Sequence, residues 1–254
     1  MKALASASLL LLLGCGASAP AGPDDAGEDA TMDAGADATQ AADAGGEAGT
    51  DATTDAADAG DSLQKLLALT ATCNQVSNGL YALNAGDTPT VPICGLTGAL
   101  FWKADMDIDC DGKTTTECNS TTDPDYQDQT AAVDSQGNPL DAANLPYVVV
   151  PGTSSRFDFG AAGLSHGSVI LVLYNNQIEY AVYGDVGPSA DIGEASYATA
   201  KALGVNPDPK VGGVDAPDVL YVAFTGASGV ASPIEDHAQA VSVGQARLAQ
   251  LLGN

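Results

Sequence analysis

The stretch IEYAVYGDVGPSADIGEASYATAKALG, residues Ile178 to Gly204, decides how the rest of the chain is interpreted. An alternating strand runs into a tight Gly-Asp-x-Gly-Pro turn, and a short loop leads to a helix predicted to begin at Glu194. Asp185 and Glu194 therefore flank one loop, each beside a regular element that would hold it. Alone, Asp185 is typical of a turn residue and Glu194 of a helix-capping acid. Together, they suit a general acid and a general base.

Short apolar strands surround this stretch. The turn at residues 175–177 predicts a hairpin between two of them. Short strands with one helix after the Asp185–Glu194 loop favour a mainly β protein built as a small closed barrel over a parallel α/β sheet. A C-terminal helix is predicted over residues 243–252. The predicted strands, each built around Val and Tyr, are residues 145–151, 169–174, 178–183 and 219–224.

The chain is strongly acidic, with a formal net charge of −25 over 254 residues. The part after residue 62 is acidic in its own right. An acidic cleft repels nucleic acid and attracts cationic substrates, whereas an acidic surface can also serve solubility alone. The charge therefore excludes a nucleic-acid partner and favours a cationic ligand.

The N-terminus is predicted to direct export. Residues 1–14 have the form of a signal peptide, with Lys2 ahead of an apolar run. Leu12 to Cys15 resembles a bacterial lipobox, which implies cleavage before Cys15 and acylation of its thiol. An ordinary signal peptide with a chance cysteine is the alternative. The run is too short to span a bilayer, so a lipid anchor to the outer membrane or cell surface is the one membrane contact predicted, with extracellular release as the alternative.

Composition divides the remainder into two parts. Residues 15–62 are Ala, Asp, Gly and Thr with almost no large apolar side chains. Such a segment cannot bury enough surface to offset its ordering entropy, so it is predicted to be a disordered linker behind the acylated Cys15. Residues 63–254 are predicted to form the catalytic domain.

Four cysteines in the predicted domain indicate two disulfides, for which three pairings are possible. We favour Cys73–Cys94 and Cys110–Cys118, because each pair closes a local loop rich in turn residues. Zinc is the alternative, but the spacings lack a C-x-x-C knuckle. No metal and no cofactor are predicted.

Four aspartates recur at every second position from 105 to 111, so a strand would project all of them from one face. Asp107 to Gly112 matches the start of a calcium-binding EF-hand loop, yet position twelve is Cys118 instead of Glu, and no helices flank it. A carboxylate strip that binds cationic sugar rings and a solvated strand edge are the other interpretations. Trp102 and Tyr147 are candidates for stacking on sugar rings, with a core role as the alternative. The candidate substrate-binding residues are Asp105, Asp107, Asp109, Asp111, Trp102 and Tyr147.

Ordered motifs from residue 105 onward resemble the chitosanases of glycoside hydrolase family 75. They are DMDIDCDG at 105–112, LPYVVVP at 145–151, GDVGP at 184–188, IGEAS at 192–196 and VLYVAF at 219–224. The resemblance implies endo-hydrolysis of β-1,4 linkages in chitosan with inversion, with Asp185 and Glu194 as the two essential acids. A monomer is also predicted. A fainter likeness to the rare-lipoprotein-A and expansin group implies a double-psi β-barrel.

The two acids need different protonation states, because one protonates the glycosidic oxygen and the other activates water. We predict Glu194 as the general acid and Asp185 as the general base. A helix N-terminus would favour the charged form of Glu194, so the reverse assignment stays open unless a neighbour such as Asp191 keeps Glu194 protonated. Peptidoglycan cleavage and a non-catalytic carbohydrate- or calcium-binding surface module are the rival functions.

Overall fold

The computed structural model describes residues 52–253, with side chains from residue 60 onward. The predicted signal peptide, Cys15 and most of the predicted linker lie outside this range and stay predictions. Helix α1, Ala52–Leu69, corrects one boundary, because residues 52–62 were predicted to be disordered and are helical. Alanine, the strongest helix former, is frequent at its start and offsets the scarcity of apolar side chains there.

A seven-stranded sheet follows α1, and six of its strands close into a barrel, which confirms the predicted mainly β fold. The barrel order is β2, β6, β3, β5, β4 and β7, and β7 pairs back onto β2. Two pairings, β2 with β6 and β3 with β5, are parallel, and the others are antiparallel. The strands are β1 Cys94–Leu96, β2 Ala99–Asp109, β3 Tyr147–Pro151, β4 Val169–Tyr174, β5 Gln177–Gly187, β6 Glu194–Ser196 and β7 Val214–Phe224. The double-psi topology stays a prediction.

The predicted hairpin joins β4 to β5 through Asn175 and Asn176. Both residues have left-handed backbone angles, with φ of 48° and 63°. Two consecutive left-handed residues form the turn whose twist matches a two-residue hairpin, and Asn tolerates that conformation well. The turn fixes the register so that Tyr174 pairs with Gln177.

Apolar side chains form two clusters, one on each face of the sheet. One cluster contains Leu171 and Val222 and includes residues of helix α3, His237–Leu252. The other contains Trp102 stacked on Tyr221, with ring centroids 5.3 Å apart. Helix α3 extends the predicted C-terminal helix toward its N-terminus and packs on β4 and β5. None of the helices within residues 52–253 is both long and apolar enough to cross a membrane.

The disulfides are Cys73–Cys94 and Cys110–Cys118, as predicted. The first closes a loop between α1 and β1, and the second closes a short loop directly after β2. Disulfides of this kind suit an exported protein.

The helix predicted to begin at Glu194 begins later. Glu194 to Ser196 form β6, which lies between β2 and β3, and helix α2 spans Tyr197–Ala202. Ser196 is the N-cap, since its side chain accepts a hydrogen bond from the Thr199 backbone N–H. Pairing on both sides satisfies the β6 backbone, and three residues are too few to show a strand period in the sequence. Glu194 is therefore a strand residue outside the helix.

Candidate active site

The two candidate catalytic acids lie in one row that crosses four neighbouring strands. Asp107 of β2 pairs with Glu194 of β6, Glu194 pairs with Val149 of β3, and Val149 pairs with Asp185 of β5. Directly paired residues project from the same face of a sheet. The barrel thus brings three carboxylates to one face, with Val149 between Glu194 and Asp185.

An irregularity at Gly184 puts Asp185 on this face. The β3–β5 register shifts between Val148 and Val149, so that Tyr183 and Asp185 pair with consecutive β3 residues and Gly184 is the extra residue. A one-residue shift moves every later side chain to the opposite face of a strand. Gly184 is packed closely, because a Cβ there would lie 2.7 Å from Tyr147 Cβ. Only glycine fits this position without displacing Tyr147.

Asp185 is buried and bonded to backbone donors. Its Oδ1 accepts hydrogen bonds from the N–H groups of Ala131 and Val186, each at 2.7 Å. Burial raises the pKa of Asp185, and these two donors act in the opposite direction because they favour the ionised form. The arrangement suits a carboxylate that stays charged.

Glu194 is half-buried and surrounded by other acids. Burial and, after it, the carboxyl groups of Asp107, Asp111 and Asp185 together raise its pKa to about 7. The expected neighbour Asp191 is not among the groups that act on it most, which corrects the sequence prediction. Burial and like charge therefore keep a substantial share of Glu194 protonated near neutral pH.

The loop between the two acids is held by the rest of the chain. Ala82 N–H donates to Ala190 O at 3.0 Å, and Ile192 N–H donates to Ala82 O at 3.1 Å. Arg156 Nη1 donates to Ser189 O at 3.1 Å. These bonds join the loop to segments from the N-terminal half of the domain, so the separation of the acids is set by more than the two strands that carry them.

Two adjoining cavities open on the carboxylate row. One, of about 290 Å³, is lined by Asp109, Asp111, Asp185 and Glu194 together with Gln127. The other, of about 330 Å³, is lined by Asp107, Asp125, Asp191 and Glu194. They share Val149, Gly187, Pro188 and Glu194, so together they form one cleft with Glu194 at its centre. A larger cavity of about 850 Å³ lies beside α1 and α3, but its lining contains no carboxylate.

The four aspartates at positions 105, 107, 109 and 111 are divided between the cleft and the interior. Asp107 is exposed and lines the cleft, and Asp111 is half-buried there. Asp109 lines the cleft but is only 5% exposed. Asp105 is 1% exposed and packs against Gly193, so its predicted contact with substrate is wrong. The β2–β7 pairing is interrupted opposite Asp105, which breaks the regular alternation there.

The two aromatic candidates are also buried, and their predicted stacking on sugar rings is wrong. Trp102 and Tyr147 are both 0% exposed. Trp102 packs between Tyr221 and Phe159 in the core. The Tyr147 hydroxyl donates a hydrogen bond to Asp111 O at 2.9 Å, so Tyr147 holds the backbone of a residue that lines the cleft.

Across residues 52–253, no group of three or more His, Cys, Asp or Glu side chains is arranged to hold a metal ion. Asp107 and Asp109 lie in an extended strand, whereas an EF-hand loop must coil around its ion. The calcium interpretation therefore has no structural support in this part of the chain.

Sequence reasoning missed several groups at the site. The Ala131 N–H carries no signal in the sequence, because any residue supplies a backbone donor. Gln127 and Asp125 line the cleft from the segment after the second disulfide, which has no periodic pattern. Val149 was identified only as part of a buried strand, and its place between the acids follows from the β3 register.

Comparison with known proteins identifies the family. The model of the fungal chitosanases of glycosyl hydrolase group 75 matches residues 106–250, more than half of the chain. Endo-chitosanase B of Aspergillus oryzae is 31% identical over 193 residues, which is 69% of this chain and 80% of that protein. An endo-chitosanase of Aspergillus fumigatus is 33% identical over 173 residues, 63% of this chain and 69% of that protein. The chain is therefore a glycoside hydrolase that belongs to glycosyl hydrolase group 75, the fungal chitosanase family.

Proposed function

We propose that the protein cuts β-1,4 linkages within chitosan chains with inversion, using Glu194 as general acid and Asp185 as general base. The family supports hydrolysis of chitosan in general. The observation that carries the residue assignment is the contrast between the two acids. Asp185 accepts two backbone hydrogen bonds that favour its ionised form, whereas burial and neighbouring carboxyls raise the pKa of Glu194 to about 7.

The separation of the acids supports inversion. One strand, β3, lies between β6 and β5, so Glu194 and Asp185 are two strand spacings apart, about 9–10 Å between Cα atoms. Inverting glycosidases hold their carboxyl groups roughly 6.5–9.5 Å apart so that a water fits, and one intervening strand leaves room for such a water between the two side chains. Val149, which is small and apolar, occupies the floor between them and offers no competing polar group.

The reaction follows from this arrangement. Glu194 donates its proton to the glycosidic oxygen as the bond from that oxygen to the anomeric carbon breaks. Asp185 accepts a proton from the water whose oxygen forms the new bond to the anomeric carbon from the opposite side. The products are two shorter chains. Glu194 must then regain a proton from solvent and Asp185 must lose one, which restores both starting forms.

The charge of the cleft supports a cationic substrate. Glucosamine units of chitosan carry amino groups that are partly protonated near neutral pH, and an acidic cleft attracts them. Asp107, Asp125 and Asp191 line one half of the cleft and would face such units on one side of the scissile bond. Export, the lipid anchor at Cys15 and the monomeric state are part of the same proposal.

Incubation of the purified protein with chitosan, chitin and peptidoglycan, followed by measurement of reducing ends, tests the substrate. Proton NMR of the first products on chitosan tests the stereochemistry, and we expect the α anomer to appear first. Release of reducing ends from peptidoglycan but not from chitosan would overturn the substrate assignment. Initial accumulation of the β anomer would overturn inversion.

A further inference from the structure

Asp109 is a third acid at the cleft for which the reaction above has no use. It is the last residue of β2 and pairs with Ser196, while Asp107, two residues earlier, pairs with Glu194. Asp109 therefore lies diagonally across the β2–β6 ladder from Glu194, on the same face. Both residues line the cavity of about 290 Å³. Unlike Asp107, Asp109 is only 5% exposed.

The surroundings of Asp109 do not favour a charge. Its Oδ1 accepts one hydrogen bond, from the Asp111 N–H at 2.6 Å. The titratable groups around it are Asp111 on its own segment, Tyr147 on β3, Asp185 on β5 and Glu194 on β6. None of these is a cation, and the ion pairs within the described residues lie elsewhere. Burial raises the pKa of Asp109 well above its usual range, and the Glu194 carboxyl raises it further.

Two carboxyl groups that line one small cavity and interact strongly titrate as one unit. When both cannot ionise together, the pair keeps one proton over a wide pH range and loses its two protons in steps that belong to the pair. The single proton is then divided between the two residues. A share of Glu194 stays in its acid form at pH values where an isolated Glu would be fully ionised.

We propose that Asp109 is a positioning residue that shares one proton with Glu194 and so extends the pH range in which Glu194 can act as the acid. The proposal rests on the proposed role of Glu194. After Glu194 gives the shared proton to the glycosidic oxygen, both carboxyl groups of the pair are ionised until a proton from solvent returns to one of them.

The pH dependence of kcat/KM in Asp109→Asn tests this sharing. Asn keeps the shape of Asp but holds no exchangeable acid proton, so Glu194 would titrate alone. We expect the alkaline limb of the profile to move to lower pH by on the order of one unit, with the acidic limb unchanged. Asp61→Asn, an exposed site on α1, removes the same charge and should leave the profile where it was. An unchanged alkaline limb in folded Asp109→Asn overturns the proposal.

A second measurement does not depend on activity or on the folding of that variant. Carbon-13 NMR of the side-chain carboxyls, recorded against pH, gives the titration midpoint of Asp109 in wild type and in Glu194→Gln. We expect the midpoint to fall in Glu194→Gln, because the neighbouring negative charge is gone. An identical midpoint in both proteins overturns the sharing. If wild type fails to cut chitosan, the proposed function fails, while this titration still tests the pair.

Discussion

Asp185 and Glu194 stand on the same face of one sheet, a single strand apart, and their surroundings differ in kind. Asp185 accepts hydrogen bonds from two backbone N–H groups, whereas Glu194 is surrounded by the carboxyls of Asp107, Asp111 and Asp185. Backbone donors favour a negative charge and neighbouring carboxylates oppose it. The proposed base and the proposed acid are thus two similar side chains that differ because the segments around them carry different groups.

Removal of either acid has the largest expected effect. Asp185→Asn and Glu194→Gln should each lower kcat on chitosan about 10²–10⁴-fold, the usual contribution of acid–base catalysis. A glucosamine oligomer with an activated aryl leaving group separates the roles, because such a group leaves without a proton. Activity on that substrate should return in Glu194→Gln and not in Asp185→Asn. Recovery in Asp185→Asn alone would reverse the assignment.

The next largest expected effect is the fall of kcat/KM at alkaline pH. In the proposed mechanism Glu194 must be protonated, and its pKa is about 7, so kcat/KM should fall above that pH by about tenfold per unit. With the aryl substrate, Glu194→Gln should lack this alkaline limb. A limb that persists in the variant belongs to another group.

The free energy of unfolding should also decrease as pH rises. Glu194 and Asp105 have folded-state pKa values of about 7 and about 8, both above their unfolded values. Their contribution is therefore fully present below the unfolded pKa and is lost as pH rises through the folded one. We expect the melting temperature to be highest in mild acid and several degrees lower near pH 8, on the order expected for a few kcal/mol.

Gly184→Ala tests how the fold places Asp185 beside Glu194. The added Cβ would lie 2.7 Å from Tyr147 Cβ, so the register shift that turns Asp185 into the cleft must distort. Overpacking of this kind costs about 1–3 kcal/mol. We expect a lower midpoint of urea unfolding and a fall in kcat of roughly tenfold, since Asp185 is displaced more than Glu194. Unchanged kcat in a destabilised variant would show that the shift is not needed for positioning.

Asp105→Asn has the smallest expected effect and separates buried from cleft acids. Asp105 lies behind Gly193 and outside both halves of the cleft, so KM and kcat for chitosan should stay within about twofold of wild type. The melting temperature should fall less between pH 5 and pH 8 than in wild type, because the group that loses stability near pH 8 is gone. A large rise in KM would return Asp105 to the substrate-binding residues.

The barrel, the hairpin, the disulfides and the presence of Asp185 and Glu194 at one cleft could be predicted from the sequence, because strand alternation and turn residues are local signals. It failed where the outcome depends on what covers a side chain. Alternation placed Trp102 and Tyr147 on strand faces, but both faces of this sheet are buried by apolar clusters. β6 was missed because a three-residue strand is defined by its partners. The Gly184 shift was missed because register depends on the neighbouring strand.

The contacts of Ala82 with the loop between the acids bear on how the enzyme can be divided. The family match begins at residue 106, inside β2, yet Ala82 lies in the loop closed by Cys73–Cys94. Leu83 and Asn84 beside it form part of the cleft wall. A fragment cut to the family boundary would lose seven of the eleven residues of β2 and the support of the loop between the two acids. We expect the smallest active piece to begin ahead of Cys73, because the loop between the acids is held by a segment outside the family match.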